Sequence, residues 1–226
     1  MSNITPTHSA ESFRVAALLS VTGGFLDAYT YVARDGVFAN AQTGNFARLA
    51  ISLANGDWLL VLRYLIPILS FIAGVSVAMW ICRRTPKTGI LSWQQHSLIL
   101  EILLLAAVSF IPGGKISNIA ANVVVSFTCA VQAETFRKVL GTPFASTMCT
   151  GNLRNATEYL NQFLLDKEQP LLHKSVQYFG IDALFVLGAV VGTLTTKAFR
   201  IHATLGCCLL LAMVLCLTFR QDSHTN

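Results

Sequence analysis

Six stretches of this sequence run for 16 to 25 residues with no more than two charged side chains in any of them. They are Phe13–Ala33, Trp58–Cys82, Ser97–Pro112, Ile116–Phe136, Ser175–Thr196 and His202–Phe219. A helix of about 20 residues, rising about 1.5 Å per residue, spans the roughly 30 Å hydrocarbon layer of a bilayer. Ser97–Pro112 is the short one and reaches that length only if Leu91–His96 extends it. The run "WLLVLRYLIPILSFIAGVSVAMWIC" (58–82) is apolar all round except at Arg63, near one end. A helix of a water-soluble bundle keeps a polar face at helical spacing. The pattern therefore argues against a soluble bundle and for lipid as the solvent.

Charge agrees with that reading. Charged residues make up 12% of the 226-residue chain, hydrophobic residues 54%, and the mean hydropathy is +0.58. Soluble domains carry about 25% charged residues, so roughly half of the usual water-facing charge is missing. The net charge of +5 is no nucleic-acid footprint, because "CRRTPK" (82–87), "RK" (137–138) and "KAFR" (197–200) each follow an apolar run. That placement is what the positive-inside bias and snorkelling produce. The six cysteines lack CxxC spacing and nearby histidines, so free thiols are expected, with no metal site and no cofactor. Residues 1–12 and 220–226 are polar tails, and no removable signal peptide is expected at the start.

The chain repeats itself once. "DAYTYVARDGVFANAQTGNFARL" (27–49) aligns with "ETFRKVLGTPFASTMCTGNLRNA" (134–156), putting Asp27 on Glu134 and Thr43-Gly44-Asn45 on Thr150-Gly151-Asn152. In both copies T-G-N begins sixteen positions after the acid. Downstream, "FIAGVSVAMWICRR" (71–84) matches "FVLGAVVGTLTTKAFR" (185–200), with Gly74 on Gly188. The expected fold is all-α: a polytopic helical membrane protein of two internal repeats, 13–112 and 116–219. Each repeat holds three long helices and one short polar TGN segment that is broken or half-spanning. Dipping TGN segments give three crossings per half and inverted repeats; full crossings give four and parallel repeats. The charges are compatible with both, and the inverted arrangement is the working expectation.

Glycine in a helix interior costs about 1 kcal/mol relative to alanine, and Asn and Thr favour caps over interiors. "NAQTGN" and "FASTMCTGN" thus read as extended stretches leading into helices that start near Gly44 or Asn45 and at the matching Gly151 or Asn152. Broken backbone is tolerated at membrane depth only where protein or a water-filled cavity covers it. Exposed amides at a helix start, with the side chains of Thr43, Asn45, Thr150 and Asn152, can then hold a ligand. The plainer alternative is a capped turn whose amides those same side chains satisfy.

Asp27 and Glu134 lie inside or near the ends of apolar runs, where an ionised carboxylate costs about 2.5–3.5 kcal/mol on insertion scales. Either they exchange a proton or hold a cation, or they are structural, capping the TGN helices or pairing with Arg34, Arg48, Arg137 or Arg154. Glu101 has no acidic counterpart and reads as an interfacial carboxylate near a helix start; Asp182 also lacks one and ranks behind the aligned pair. Gly23, Gly24, Gly74, Gly188 and Gly192 read as close-packing points between helices.

"TGGFLDAYTYV" with "GVFANAQTGNFARLAISL" resembles the YoaK-type family of small bacterial membrane proteins, a domain of unknown function. Its G-x-x-D…F-x-x-x-x-T-G-N block is matched by Gly24, Asp27, Phe38, Thr43, Gly44 and Asn45, and the resemblance covers about residues 13–220. It implies a bacterial inner (cytoplasmic) membrane protein of around six spans and no established substrate.

The expected function is a secondary transporter or channel for a small solute or ion. Its site would comprise Asp27, Thr43, Gly44, Asn45, Glu134, Thr150, Gly151 and Asn152, at the interface of the repeats, in a chain that lives in the lipid bilayer and binds no nucleic acid. Oligomeric state stays open. A scaffold or helper subunit is the alternative. An intramembrane enzyme ranks lower, because the sequence holds no HExxH, GxSxG, P-loop or histidine cluster.

Overall fold

The computed structural model describes residues 12–86, 89–139, 142–143 and 149–222. Its elements are α1 (Phe13–Ala33), α2 (Gln42–Ala54), α3 (Trp58–Arg84), α4 (Trp93–Val108), α5 (Lys115–Thr135), α6 (Cys149–Asp166), α7 (Gln169–Phe199) and α8 (Thr204–Asp222). A 3-10 turn, Arg200–Ala203, links α7 to α8. Between α5 and α6 lies a two-residue antiparallel ladder of β1 (Lys138–Val139) and β2 (Thr142–Pro143). Residues 144–148, which lead into the second T-G-N, lie outside the described residues.

Local signals explain most boundaries. Ser12 accepts from the Val15 amide at the start of α1, and Asp57 from the Leu60 amide at the start of α3. α4 begins at Trp93, four residues before the expected Ser97, because Ser92 and Gln95 form a reciprocal capping box. It ends at Val108, short of Pro112, where the Ser109 hydroxyl bonds back to the Ala106 carbonyl. α2 begins at Gln42, two residues before Gly44, so the T-G-N glycine sits in its first turn.

Three helices, α1, α3 and α5, are long and apolar enough to cross a membrane, and the run Gln169–Phe219, which the 3-10 turn divides, is a fourth such segment. α4, with 16 residues, is shorter. The chain is thus a helical protein with the long apolar helices of a membrane protein. α1 packs against α7 and α8, α5 against α3 and α4, α4 also against α8, and the short helices α2 and α6 against α3 and α7. In the most apolar window of α1, 72% is buried, against 22% in α3. α1 is therefore interior, while α3 presents Leu62, Leu69, Ile72 and Trp80 outward and α7 presents Val186, Val190 and Leu194. Such apolar surface fits hydrocarbon rather than water.

Small residues let the helices touch backbone to backbone. A Cβ on Gly24 would collide with the Phe185 carbonyl of α7, and one on Gly188 with the Val21 carbonyl of α1. A Cβ on Gly74 would come within 2.5 Å of the Phe127 carbonyl of α5, and one on Gly192 within 2.8 Å of the Phe25 Cα. Four of the five glycines expected at helix contacts, Gly24, Gly74, Gly188 and Gly192, are found there.

Candidate functional site

The chain reverses where α1 ends. Asp35 (φ 64) and Gly36 (φ 73) are both left-handed, and the residues after them run back along α1. Arg48 of α2 holds this return, donating to the Gly36 carbonyl at 2.8 Å and lying over the rings of Tyr31, Phe38 and Tyr64. Asn40 then reaches the middle of α1, its amide N–H donating to Asp27 Oδ1 at 2.8 Å and its Nδ2 to the Gly23 carbonyl at 2.9 Å.

α2 starts at that depth without a side-chain cap of its own, since its N-cap residue is Ala41. Asp27 fills the role from the neighbouring helix, with the amides of Asn40, Ala41 and Ala39 all turned to its carboxylate. Within T-G-N the three residues differ. Asn45 is fully buried and donates to the Phe38 carbonyl and to Gln42 Oε1. Thr43 is exposed and Gly44 half-buried. The Oδ1 atoms of Asn40 and Asn45 are buried without a hydrogen-bond partner among the described residues. Each amide nitrogen is committed to a main-chain carbonyl, so each oxygen must point the other way.

The second T-G-N opens α6 in a related manner with a different acid. Asn152 is buried and donates to Asp182 Oδ1 at 3.2 Å, and the Cys149 thiol also donates to Asp182. Thr150 and Gly151 are exposed. α6 then runs antiparallel to α7, with the Ser175 hydroxyl on the Ala156 carbonyl and Tyr159 stacked on Tyr178 at 5.9 Å between ring centroids. Glu134, the aligned acid, is half-buried at the end of α5 and pairs with Arg137 at 3.2 Å. Asp27 lies within electrostatic reach of Cys149. Asp27 is thus bonded at the start of α2 and within electrostatic reach of the first residue of α6, while the acid bonded to that second start is Asp182.

Two groups that the sequence reading undervalued are buried. Arg34, offered by the sequence as a possible partner for Asp27 or Glu134, is fully buried at the end of α1. Its guanidinium donates to Tyr29 Oη, to Asn118 Oδ1 and to the carbonyls of Val108, Ile111 and Pro112. Tyr29 in turn donates to the Ile201 carbonyl, and Asn122 to the Arg34 carbonyl. Glu101 is not interfacial: because α4 starts early, it sits in the third turn, fully buried. An open cleft of about 440 Å³ lies between the ends of α1 and α7, lined by Ala33, Gly113, Thr196, Lys197 and Arg200 among others; none of the expected site residues lines it.

A family model described as a protein of unknown function (DUF1275) matches residues 15–217, most of the chain. The chain belongs to the DUF1275 family. That agrees with the resemblance carried by Gly24, Asp27, Phe38 and T-G-N, all of which fall inside the matched span. Comparison with curated proteins and with solved structures finds no match.

Proposed function

We propose that this DUF1275-family chain is a secondary transporter or channel for a small solute in the bacterial inner membrane. Its site would lie where α2 and α6 begin. One observation carries the reading: two polar helices start inside an apolar bundle, within reach of the same buried carboxylate, Asp27. Helix starts at membrane depth are tolerated next to a cavity or under protein cover, and discontinuous helices with their N-termini turned inward are a recurring way to bind solutes. α6 adds to this, because only Asn152 and Ala156 of its 18 residues are buried while Arg154, Glu158 and Asn161 are exposed. Charged and amide side chains at that depth call for water rather than lipid.

The crossings in this reading number six, with α2 and α6 re-entrant and the two halves inverted. Arg34 ties the end of α1 to the end of α4 and the start of α5, and Tyr29 ties it to the α7–α8 turn. α1, α4 and α7 then finish at one face, where α5 and α8 begin. α2 would return to that face from the depth of Asp27, and α6 would leave the depth of Asp182 for the opposite one. The aligned helices α1 and α5 point in opposite directions, as inverted repeats require. Exchange of the halves preserves the packing: α1 on α7 becomes α5 on α3, and Gly188 against the Val21 carbonyl becomes Gly74 against the Phe127 carbonyl.

Orientation follows from the basic residues. In this topology Arg14, Arg83, Arg84, Arg137, Lys138, Lys167 and Lys174 would lie at the face with the termini, and Arg34, Arg63, Lys115, Lys197 and Arg200 at the other. By the positive-inside bias the termini are cytoplasmic. A fluorescent-protein fusion after Asp222 is expected to fluoresce, and alkaline phosphatase inserted at Gly113 to be active; the reverse pattern would overturn the orientation.

The deciding experiment is cysteine accessibility. In a variant with the six native cysteines replaced by alanine, single cysteines at Thr43 and Thr150 are expected to react with a membrane-impermeant maleimide, Thr43→Cys from the periplasm and Thr150→Cys from the cytoplasm. Two unreactive positions would mean dry packing and end the transport reading. The scaffold reading draws on the Asp27–Asn40 bond, since a carboxylate that only closes α2 needs no solute. Asp27→Asn keeps an acceptor for the Asn40 amide and loses the charge. Transport predicts normal membrane abundance with altered labelling at Thr43→Cys; a purely structural acid predicts reduced abundance instead.

A further inference from the structure

Among the described residues Glu101 has the least satisfied carboxyl group. It is fully buried in the third turn of α4, and neither carboxyl oxygen has a hydrogen-bond partner among the described residues. α4 packs against α3, α5 and α8. The titratable side chains that α5 and α8 bring to this region are thiols. Cys129 of α5 lies within electrostatic reach of Glu101, of Asp27 and of Cys207 on α8, and the Cys208 thiol donates to the Ile102 carbonyl. Among the described residues no charged group of α3, α5 or α8 acts on Glu101.

An ionised carboxylate here would be buried with no hydrogen-bond donor and no opposite charge beside it among the described residues, at a far higher cost than its neutral form. A carboxylate is stabilised by hydrogen bonds or by a cation. Among the described residues the hydrogen bonds are missing, and a cation, which needs several ligands at once, finds no group of three His, Cys, Asp or Glu side chains that could hold it. A proton needs no shell.

We propose that Glu101 is a proton-binding site, loaded in the arrangement described and emptied when a rearrangement of the helices admits water. On emptying, the carboxyl O–H bond breaks, the proton passes to the entering water, and the carboxylate left behind is hydrated; loading is the reverse. The coupling of this proton to solute movement rests on the transport reading, with Cys129 linking the region of Glu101 to that of Asp27. The binding of the proton itself does not depend on that reading.

Infrared difference spectroscopy between wild type and Glu101→Gln tests it, on the full chain in vesicles of phosphatidylethanolamine and phosphatidylglycerol. Wild type is expected to show the carbonyl stretch of a neutral carboxylic acid, lost in the variant, and this band is expected to shift in D2O without unfolding. A difference made of carboxylate bands would overturn the proposal. So would a neutral-acid band that stays unshifted in D2O until the protein unfolds, the mark of a sealed structural acid. Glu101→Met, apolar and of similar length, replaces the glutamine variant if that one fails to accumulate. An exchanging band with Thr43→Cys and Thr150→Cys unreactive would leave the proton site standing while transport fails; reactive turns without an exchanging band would sink the proton site alone.

Discussion

Arg34→Ala is expected to destabilise the protein by about 3–5 kcal/mol, a large part of the 5–15 kcal/mol typical of a folded domain. The guanidinium is fully buried and makes five hydrogen bonds, three of them to carbonyls where α4 ends. The Val108 carbonyl keeps the Ile111 amide at 3.1 Å, but the carbonyls of Ile111 and Pro112 lie past the end of α4, and removing the donor leaves them desolvated with nothing in exchange. The same arginine fastens three chain segments, the end of α1, the α4–α5 turn and, through Tyr29, the α7–α8 turn. Arg34→Lys is expected to fall between wild type and alanine. An ammonium is a point donor, and it cannot fork to Tyr29 Oη and the end of α4 together. Thermal unfolding followed by size-exclusion chromatography of a fluorescent fusion reads both variants. A wild-type profile for Arg34→Ala would show that water replaces the guanidinium at no cost.

Gly188→Val is expected to separate α1 from α7 and to abolish accumulation of monodisperse protein. The methyl group of alanine alone would land on the Val21 backbone, and a backbone cannot step aside as a flexible side chain can. Overpacking of this kind costs about 1–3 kcal/mol for Gly188→Ala and more for valine. Gly180, two turns earlier on α7, is the internal control, because a Cβ there meets nothing within 4 Å. Gly180→Ala removes backbone freedom from the unfolded chain and is expected to be stabilising by about 0.5–1 kcal/mol. One substitution type on one helix should thus change sign over eight residues. Equal effects at the two positions would falsify the close-contact account of α1 and α7.

Much of the helix pattern could be read directly. The run Phe13–Ala33 is α1 residue for residue, and Trp58 opens α3, because long apolar stretches and their flanking caps are local features. α4 shifted because its capping box lay outside the apolar run. The site was partly legible. Asp27, Asn45 and Asn152 are buried beside the two helix starts, whereas Thr43, Thr150 and Gly151 face outward. Asp182 could not be found by aligning the two halves, since the acid that meets Asn152 comes from the helix packed against it, thirty residues on.

Hydropathy and its punctuation, being properties of neighbouring residues, were enough to establish helices, several of them long and apolar enough to cross a membrane, and two polar stretches carrying T-G-N. The partners of the buried polar groups were decided only by tertiary structure. Arg34 meets carbonyls 74 to 78 positions away, Asp27 meets an amide thirteen positions away after a chain reversal, and Glu101 meets no hydrogen-bond partner among the described residues. A polar group inside an apolar bundle is defined by what lies opposite it, and that depends on which helix faces pack together.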